Sequence, residues 1–345
     1  MRILLTTDFL SEKQDAIDWH SERMLKIIQM CIEGKHIVDI YPKQHFADKI
    51  FNPDIFYINS NINPNDRFVR VVDRNEIDDN SCSYLNSFIE NYDLIIGYEL
   101  QELTKKLFDE YDKKWINIWL HPVRFLEDEL FAVETSKNFS DRKRLNKFHV
   151  NESKFFINAE YIKIILKNRK IIPEIKKDGL VIFGQTRGDK TLRGQRGILT
   201  LRNYKNQIVS LMKKFDCTYF VPHPLDKNDE ELKEFISNLG DITILNNSNG
   251  YALLASNNVE MVVSISSSIC TEAFYFGKNA LLFNKPTVDI KGGNFVNIDS
   301  SLLSRKFWRY ILDGDIDDYN EGNDLPQGNS VRNILNANYS YDIFR

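Results

Sequence analysis

The segment Leu180-Val-Ile-Phe-Gly184 is followed at once by Gln185-Thr-Arg-Gly-Asp189-Lys190. The apolar run predicts a short buried strand, and the polar residues after it predict a loop at the carboxyl end of that strand. Strand-like runs and segments of helical period then alternate down the chain, which is typical of βαβ units with a parallel sheet. The predicted strands are 180–184, 217–221, 242–245, 260–265 and 279–283, and the predicted helices are 199–215, 229–239, 250–256 and 269–276.

The residues before this region show the same pattern less regularly. An amphipathic helix from residue 161 runs into a basic connector that contains Pro173, and we place a domain boundary near residue 175. The fold class is therefore α/β, with Rossmann-like domains at 1–175 and 176–312 and a tail at 313–345. A length of 345 residues, against roughly 100 to 200 for one domain, fits this division. Predicted strands of the first half are 2–6, 37–41, 54–58, 68–72, 93–97 and 115–119, and predicted helices are 21–32 and 100–111.

Composition excludes several classes of protein. A content of 42% hydrophobic and 12% aromatic residues supports a sizeable core and is unlike that of disordered chains. The 45 basic and 49 acidic residues argue against a strongly basic nucleic-acid-binding protein. The four cysteines contain no CxxC pair, and no apolar run reaches the roughly 18 residues of a membrane span. Because the opening residues also turn polar too soon for a secretory signal, we expect a cytoplasmic protein.

Three polar loops follow predicted strands of the second half. Gln185 to Lys190 follows the first strand, His223 lies between two prolines after the second, and Ser266-Ser267-Ser268 opens a helix after the fourth. The carboxyl ends of parallel strands meet at one edge of a sheet, where helix N-termini expose free N–H groups. We therefore expect these loops to form one ligand-binding edge.

The loop after the first of these strands is cationic. Its spacing departs from that of a phosphate-binding P-loop, because Gly188 comes one residue early and Asp189 follows it in place of a lysine. Arg187 and Lys190, with two more arginines before residue 197, favour an anionic ligand. A solvated charged loop is the alternative interpretation.

The serines and the histidine each have two interpretations. A single serine at this position is explained as the N-cap of the helix that follows. Three hydroxyls beside a helix N-terminus, with Glu272 one turn later, instead favour an anion-binding cradle with an acceptor for ribose hydroxyls. His223 is either a binding residue held by its stiff, proline-flanked loop or an ordinary packed histidine.

Polar residues of the first half also follow predicted strands. We expect them to line the opposite wall of a cleft, and they are Asp8, Glu99, His121 and Arg124. Glu99 also has a structural interpretation, since the helix dipole stabilises a carboxylate at the start of a helix. The acidic stretch 313–324 imitates a calcium loop but has Asp318 where the turn glycine belongs and Asp324 at its last position. We therefore predict no metal site.

In their order along the chain, these pieces resemble the bacterial β-Kdo glycosyltransferases of the capsule and O-antigen type. The likeness covers most of residues 180–312, with weaker echoes at Tyr98-Glu99-Leu100 and His121-Pro122-Val123-Arg124-Phe125. The matching residues are Gln185-x-x-x-Asp189, His223-Pro224, Ser266-Ser267-Ser268 with Glu272-Ala273 and Gly277-Lys278, and Phe307-Trp308-Arg309.

The resemblance implies a GT-B architecture, in which two Rossmann-like domains face each other across a cleft. The first domain then binds the acceptor, the second binds CMP-Kdo, and a C-terminal helix within 301–312 crosses back so that the tail packs on the first domain. His223, the three serines and Glu272 are implied to receive the cytidylate phosphate and ribose. Arg187 or Lys190 is expected to contact the carboxylate of the sugar. Neither a cofactor nor a metal is implied, because fixed hydrogen-bond donors neutralise the departing nucleotide.

The resemblance also implies that the anomeric configuration is retained. Gln185 and Asp189 then form the catalytic motif, with Asp189 as the nucleophile that forms a glycosyl-enzyme adduct. Glu99, across the cleft, is the candidate base for the acceptor hydroxyl. The other polar residues of the first half lie on the acceptor side.

The donor, the reaction and the partners have alternatives. Thr186-Arg187-Gly188 is less acidic than the family pattern, so sialic, legionaminic or pseudaminic acid is an alternative to Kdo. A sugar-nucleotide epimerase or hydrolase, or an inactive assembly subunit, is an alternative function. We expect a saccharide or a lipid-linked saccharide as acceptor, and no nucleic acid. The basic stretches 142–144 and 167–177 predict peripheral attachment to the inner face of the cytoplasmic membrane, with solvated faces as the alternative.

Overall fold

The computed structural model describes residues 1–11, 19–41, 51–140, 142–186, 188–226, 229–292, 294–314 and 328–336. Its strands are β1 (Arg2–Thr7), β2 (Ile37–Tyr41), β3 (Leu94–Tyr98), β4 (Trp115–Leu120), β5 (Phe131–Thr135), β6 (Gly179–Phe183), β7 (Arg193–Gly194), β8 (Gly197–Ile198), β9 (Cys217–Val221), β10 (Ile242–Ile244), β11 (Val259–Ser264), β12 (Asn279–Leu282) and β13 (Val296–Ile298).

Its α-helices are α1 (Trp19–Ile32), α2 (Pro53–Asn59), α3 (Asp66–Val69), α4 (Asp79–Ile89), α5 (Glu102–Glu110), α6 (Arg142–Leu145), α7 (Ser153–Asn168), α8 (Lys205–Met212), α9 (Glu230–Ser237), α10 (Gly250–Ala255), α11 (Ser268–Ala273), α12 (Arg305–Asp313) and α13 (Ser330–Leu335). Short 3₁₀ turns occupy Arg74–Glu76, Asn146–Phe148, Lys190–Leu192, Leu201–Tyr204, Ile290–Gly292 and Ser300–Leu303. Within the described ranges, no helix combines the length and the apolarity that a bilayer crossing needs.

The first sheet has six strands in the order β13-β5-β4-β3-β1-β2. Strands β1 to β4 run parallel, whereas β5 is antiparallel to β4 and β13 is antiparallel to β5. Every residue of β3 is buried, because hydrophobic clusters cover both faces of the sheet. Burial on both faces accounts for the nearly continuous apolar run Leu94-Ile-Ile-Gly-Tyr98.

The second sheet is wholly parallel, in the order β10-β9-β6-β11-β12. Counted along the chain within this half, the order is third, second, first, fourth, fifth, as in a Rossmann-like sheet. The strands and helices predicted for this half are present, although the first helix begins as a 3₁₀ turn. The α/β class with two Rossmann-like halves is therefore confirmed.

Two predicted strands of the first half are wrong. Residues 54–58 lie in α2, where Pro53 occupies the first turn and the Asn52 side chain accepts a hydrogen bond from the N–H of Asp54 at 2.9 Å. An Asn–Pro pair at this position favours a helix start, and it outweighs the strand-like run Ile-Phe-Tyr-Ile that follows. The predicted strand at 68–72 begins in the single turn of α3 instead.

The chain returns to the first sheet before its end. Strand β13 pairs with β5, and Trp308 of α12 and Leu335 of α13 pack in the same hydrophobic cluster as Ile3 of β1. Conversely, Phe155 of α7 packs in a cluster with Val181 of β6. The backbone thus leaves the first sheet after β5 and returns to it at β13. The domain limits at 175 and 312 stay predictions.

The hairpin of β7 and β8 reaches from the second half to the first. The carbonyl of Gly194 accepts a hydrogen bond from the N–H of Val71 at 3.0 Å. The guanidinium of Arg193 donates to the carbonyls of Arg67 and Ser11 at 3.1 and 3.2 Å. These contacts connect the β7–β8 hairpin to backbone groups of the first half, so they fix the hairpin against that half.

A buried ion pair ties α13 to the loop after β4. The side chains of Arg332 and Glu129 are 1% and 0% exposed, with Nη1 and Oε1 2.6 Å apart. Arg332 also donates to the carbonyls of Arg124, Leu126 and Glu127 at 2.7, 2.8 and 3.0 Å. A charge this deeply buried is tolerated only when it is paired and hydrogen-bonded, so this network anchors the end of the described chain.

Replacing Arg332 by alanine removes the guanidinium that pairs with the buried Glu129 and leaves Arg124 as the remaining positive charge that acts on it. We expect Arg332→Ala to lower the free energy of unfolding by about 3 kcal/mol or more. Arg23→Ala is the matched control, because Arg23 is exposed and also donates to α13, at the carbonyl of Ile334; its cost is expected to stay below about 1 kcal/mol. Urea denaturation followed by circular dichroism measures both, and equal costs would contradict the anchoring role of Arg332.

Candidate functional site

The strand order reverses once in each sheet, and several of the predicted site residues follow strands at these reversals. In the second sheet, β6 has β9 on one side and β11 on the other. In the first sheet, β1 lies between β2 and β3. The loops that leave the carboxyl ends of strands at a reversal run in opposite directions, which opens a crevice where ligands bind. Gln185 follows β6, Ser266 follows β11 and Glu99 follows β3.

The side chain of Gln185 joins the loops after β6 and β11. Its Oε1 accepts hydrogen bonds from the N–H of Ser266 at 2.7 Å and from the hydroxyl of Ser264 at 3.2 Å. Its Nε2 donates to the Oγ of Ser266 at 3.1 Å and to the Oδ2 of Asp189 at 3.2 Å. Both ends of the amide are therefore used, and the position of Asp189 is coupled to the loop after β11.

Asp189 is held by its own loop. It is the N-cap of the 3₁₀ turn Lys190–Leu192, and its Oδ1 accepts from the N–H and the hydroxyl of Thr191 at 2.9 and 2.8 Å. The hydroxyl of Thr191 is also 2.7 Å from that of Ser266. Oδ1 is engaged twice at short distance, whereas among the described residues the bond recorded for Oδ2 is the longer one from Gln185. The carboxylate is thus fixed in orientation with Oδ2 as its less engaged oxygen.

Glu99 has an unusual backbone conformation. Its φ is 58°, a left-handed value that is uncommon for a residue other than glycine. The conformation is held by a bond from its N–H to the carbonyl of Ile118 at 2.9 Å, and by the buried side chain of Asn117, which accepts from the N–H of Leu100 at 2.9 Å. Strain maintained by its surroundings in this way is typical of functional positions.

Glu99 lies across the junction from the Asp189 loop. Its Oε2 is 3.6 Å from the Nζ of Lys190, and the two side chains are 27% and 29% exposed. Lys190 is the residue directly after Asp189. The structure therefore brings together Glu99 from the first half and Asp189 and Lys190 from the second. The ammonium of Lys190 faces the carboxylate of Glu99 across the junction.

His223 and the remaining serines lie at the same edge of the second sheet. Burial lowers the pKa of His223, opposed by the negative charges of Asp226 and Asp189, and its Nδ1 accepts from the N–H of Leu225 at 3.2 Å. Ser267 is the N-cap residue of α11, but its side chain makes no capping hydrogen bond. Ser267 and Ser268 are partly exposed, so their hydroxyls are accessible at this edge.

The predicted contact of Glu272 with a ribose is wrong, because the carboxylate is buried. It is 2% exposed, and its Oε1 accepts from the N–H of Arg124 at 2.7 Å and from the hydroxyl of Tyr251 at 3.0 Å. Burial raises the pKa of Glu272 to about 8. Since Arg124 belongs to the loop after β4, Glu272 connects this loop to α11 and does not face a ligand.

Two predicted acceptor-side residues are buried supports as well. His121 is 0% exposed; its Nδ1 accepts from the N–H of Val123 at 3.0 Å, and burial lowers its pKa to about 3. Asp8 is 0% exposed and accepts hydrogen bonds from the hydroxyl of Ser11 and the N–H of Gln101 at 2.8 and 2.9 Å. Because both side chains are fully buried, neither is placed to contact an acceptor directly, contrary to the prediction.

The other predicted positions divide into two groups. Arg124 is partly buried, and its main chain links Glu272 to Arg332, while a role toward an acceptor stays a prediction. Arg187 and most of the acidic stretch 313–324 lie outside the described residues. Among the residues that the structure does describe, no cluster of three or more His, Cys, Asp or Glu side chains is arranged to hold a metal ion.

Three residues of the site were not predicted from the sequence. Thr191 comes two positions after an aspartate, the spacing at which an N-cap carboxylate bonds a backbone N–H, and this signal was available. Ser264 is the polar last residue of the buried strand β11. Asn117 is buried in the middle of β4, where an isolated amide in an apolar run marks a structural or functional contact.

No model of a protein family matches the sequence, and no curated protein matches it significantly. Solved structures similar to the chain include β-Kdo transferases, the family that the sequence resembles. The β-Kdo 2,7 transferase of Thermosulfurimonas dismutans KpsC is 13% identical, with 82% of this chain and 79% of that chain covered and a TM-score of 0.41. The β-Kdo 2,4 transferase of the same KpsC is 13% identical, with 58% and 71% covered and a TM-score of 0.35.

A third similar structure is the UDP-GlcNAc 2-epimerase from Neisseria meningitidis bound to UDP-GlcNAc. It is 13% identical, with 97% of this chain and 99% of that chain covered and a TM-score of 0.28. The similar structures thus include transferases and epimerases. With identities and TM-scores this low, a functional assignment has to rest on the residues of the chain itself.

Glu272 predicts a pH dependence of stability. Its pKa of about 8 in the folded protein lies above the ordinary value of 4.5, so the native state holds a proton that the unfolded chain releases between these limits. The contribution of Glu272 to the free energy of unfolding therefore falls as pH rises from about 5 to 8. Glu272→Gln keeps an acceptor oxygen but cannot ionise, so it should flatten this part of the profile in urea titrations. The exposed Glu90→Gln is the control, and an unchanged slope in Glu272→Gln would refute the assignment.

The strain at Glu99 predicts a difference between two substitutions. Both Glu99→Ala and Glu99→Gly remove the carboxylate, but only glycine adopts a positive φ without strain. We expect the glycine variant to be more stable than the alanine variant by about 1 kcal/mol, as measured by urea denaturation. If alanine is as stable as glycine, the left-handed conformation is not a source of strain.

Proposed function

We propose that the chain is a glycosyltransferase that moves Kdo, or a related ulosonic acid, from a CMP-activated donor to a saccharide acceptor of a bacterial surface polysaccharide. The observation that carries the proposal is the convergence of Gln185, Asp189 and Ser266 at the strand-order reversal of the second sheet, with Glu99 facing them through Lys190. The order of these motifs along the chain supports the choice of donor. The acceptor is free or lipid-linked.

The donor is expected to lie along the edge formed by the loops after β6, β9 and β11. Ser267 and Ser268 offer hydroxyls to the phosphate, and His223 offers a ring largely in its neutral form, because burial lowers its pKa. The ammonium of Lys190 offsets the charge of the phosphate or of the sugar carboxylate. These fixed donors stabilise the leaving CMP, so we expect transfer to proceed in the presence of EDTA.

In the first step, Oδ2 of Asp189 attacks the anomeric carbon of the donor. A bond forms between Oδ2 and this carbon, the bond from the carbon to the phosphate oxygen breaks, and CMP leaves with the electron pair. The bonds from Thr191 to Oδ1 and from Gln185 to Oδ2 set the direction of attack. This orientation matters because a displacement requires the nucleophile to be in line with the leaving group.

In the second step, an acceptor hydroxyl attacks the same carbon from the opposite face. The bond to Oδ2 breaks, Asp189 recovers its carboxylate, and the hydroxyl proton passes to Glu99. The Nζ of Lys190 lies 3.6 Å from the Oε2 of Glu99 and holds this carboxylate beside the Asp189 loop. Two inversions at one carbon give overall retention.

The direct test is Asp189→Asn, assayed with CMP-Kdo and a panel of saccharide acceptors. We expect the rate of transfer to fall by about 10² to 10⁴ while CMP still binds, since the amide keeps the shape but lacks the nucleophilic oxygen. Intact-mass analysis of wild type with donor alone should show one added sugar, which is absent in the variant.

The matched control is Asp216→Asn. Asp216 is exposed and directly precedes β9, at the opposite edge of the sheet, so its loss should leave the rate unchanged. Equal rates in Asp189→Asn and wild type would contradict the mechanism. Release of free or isomerised sugar with no acceptor-linked product would favour an epimerase or hydrolase, and absence of turnover in wild type would favour an assembly subunit.

A further inference from the structure

Helix α7 has an apolar face that the described protein does not cover. Its inner face buries Phe155, Ala159, Ile162 and Leu166 against the second sheet. On the opposite face, Ile157, Tyr161 and Ile164 are 68%, 62% and 57% exposed. Their spacing of four and three residues places them on one side of the helix. A helix that is apolar on both faces is normally buried on both, so this outer stripe indicates a missing contact.

The stripe continues onto neighbouring aromatic residues. Phe156 and Phe274 are each 42% exposed, and their ring centroids are 5.6 Å apart. We call the five residues Phe156, Ile157, Tyr161, Ile164 and Phe274 the α7 surface. It lies away from the Gln185 network, since α7 packs on α10 and on the turn that follows α11. Large side chains of this kind, with a tyrosine among them, are typical of surfaces that enter a lipid interface.

Basic residues are concentrated in α7 and in the segment that follows it. The segment 153–177 carries Lys154, Lys163, Lys167, Arg169, Lys170, Lys176 and Lys177 against the two carboxylates Glu160 and Glu174. Except for Lys163, which is partly buried and forms an ion pair with Glu160 at 2.6 Å, these basic residues are exposed. Beside them, a groove of about 970 Å³ is lined by Lys163, Lys167 and Lys176 among others. Because Ile164 also lines this groove, the apolar stripe borders positive charge on that side.

We propose that the α7 surface rests on a membrane of anionic phospholipid. The apolar side chains enter the boundary between headgroups and acyl chains, while the lysine stems extend so that their ammonium groups reach lipid phosphates. A second copy of the chain fits less well, because a two-fold contact through this face brings like charges together. The basic stretch 142–144 was also predicted to contact lipid. Arg142 and Arg144 instead donate to the carbonyls of Asn294 and Ile311, so these two guanidinium groups are engaged within the protein.

The proposal goes beyond the transfer reaction and is tested without it. The full chain is mixed with unilamellar vesicles and floated through a density gradient. It should float with vesicles that contain phosphatidylglycerol and remain below with vesicles of phosphatidylcholine alone. Binding should fall when salt is raised to about 1 M, where the screening length is about 3 Å.

Variants then locate the contact. Replacing Ile157, Tyr161 and Ile164 together by serine should lower the ratio of bound to free protein by about tenfold. The matched control replaces Ile55 and Ile58 of α2, which are 43% and 58% exposed, by serine and should bind as wild type does. Circular dichroism and the thermal midpoint are measured to check that both variants are folded.

Three results would overturn the proposal. The first is a wild-type chain that fails to float with anionic vesicles, and the second is a stripe variant that floats as well as wild type. The third is a wild-type dimer in sedimentation velocity that the stripe variant converts to monomer, without any vesicle binding. That third result would assign the α7 surface to another copy of the chain.

Discussion

The amide of Gln185 spans the place where the strand order of the second sheet reverses. A parallel sheet leaves its loops to diverge at such a point, and the gap has to be bridged or filled with water. Here, one amide oxygen accepts from the loop after β11 and the amide nitrogen donates to Asp189 and Ser266. The position of the carboxylate, the closeness of the serine loop and the placement of Lys190 opposite Glu99 all depend on this bridge.

The polar groups with few exposed atoms fall into two sets: one lies at the candidate site, and the other holds the loop after β4 in place. Gln185 and Thr191 are partly exposed at the edge of the sheet, where chemistry on a ligand is feasible, and both contact the buried Ser266. Glu272 and His121 are buried. Burial raises the pKa of Glu272 and lowers that of His121, so it favours the neutral form of both. A neutral buried group can hold backbone N–H groups without the cost of a desolvated charge. These two groups with shifted pKa values therefore support the loop after β4 and are not catalytic groups.

The sequence predicted the fold of the second half closely because its strands are buried on both faces, so apolar run length and turn residues suffice. In the first half, the same kind of run at Ile55 to Ile58 formed a helix, and the deciding residues were Asn52 and Pro53 before it. Strand position predicted that the loop 185–190 lies beside the serine loop and that Glu99 lies across from it, since strand order decides which loops converge. It failed for Asp8, His121 and Glu272, because burial depends on what packs against a loop, which one-dimensional spacing does not contain.

The central claim is that a nucleotide binds at the reversal of the second sheet, against the loops after β6 and β11. Hydrogen–deuterium exchange of the full chain with and without saturating CMP tests this directly. We expect slower exchange in peptides that cover 185–192 and 264–270, and no change in the peptides of α7. Protection confined to other segments, or none at saturation, would contradict the account.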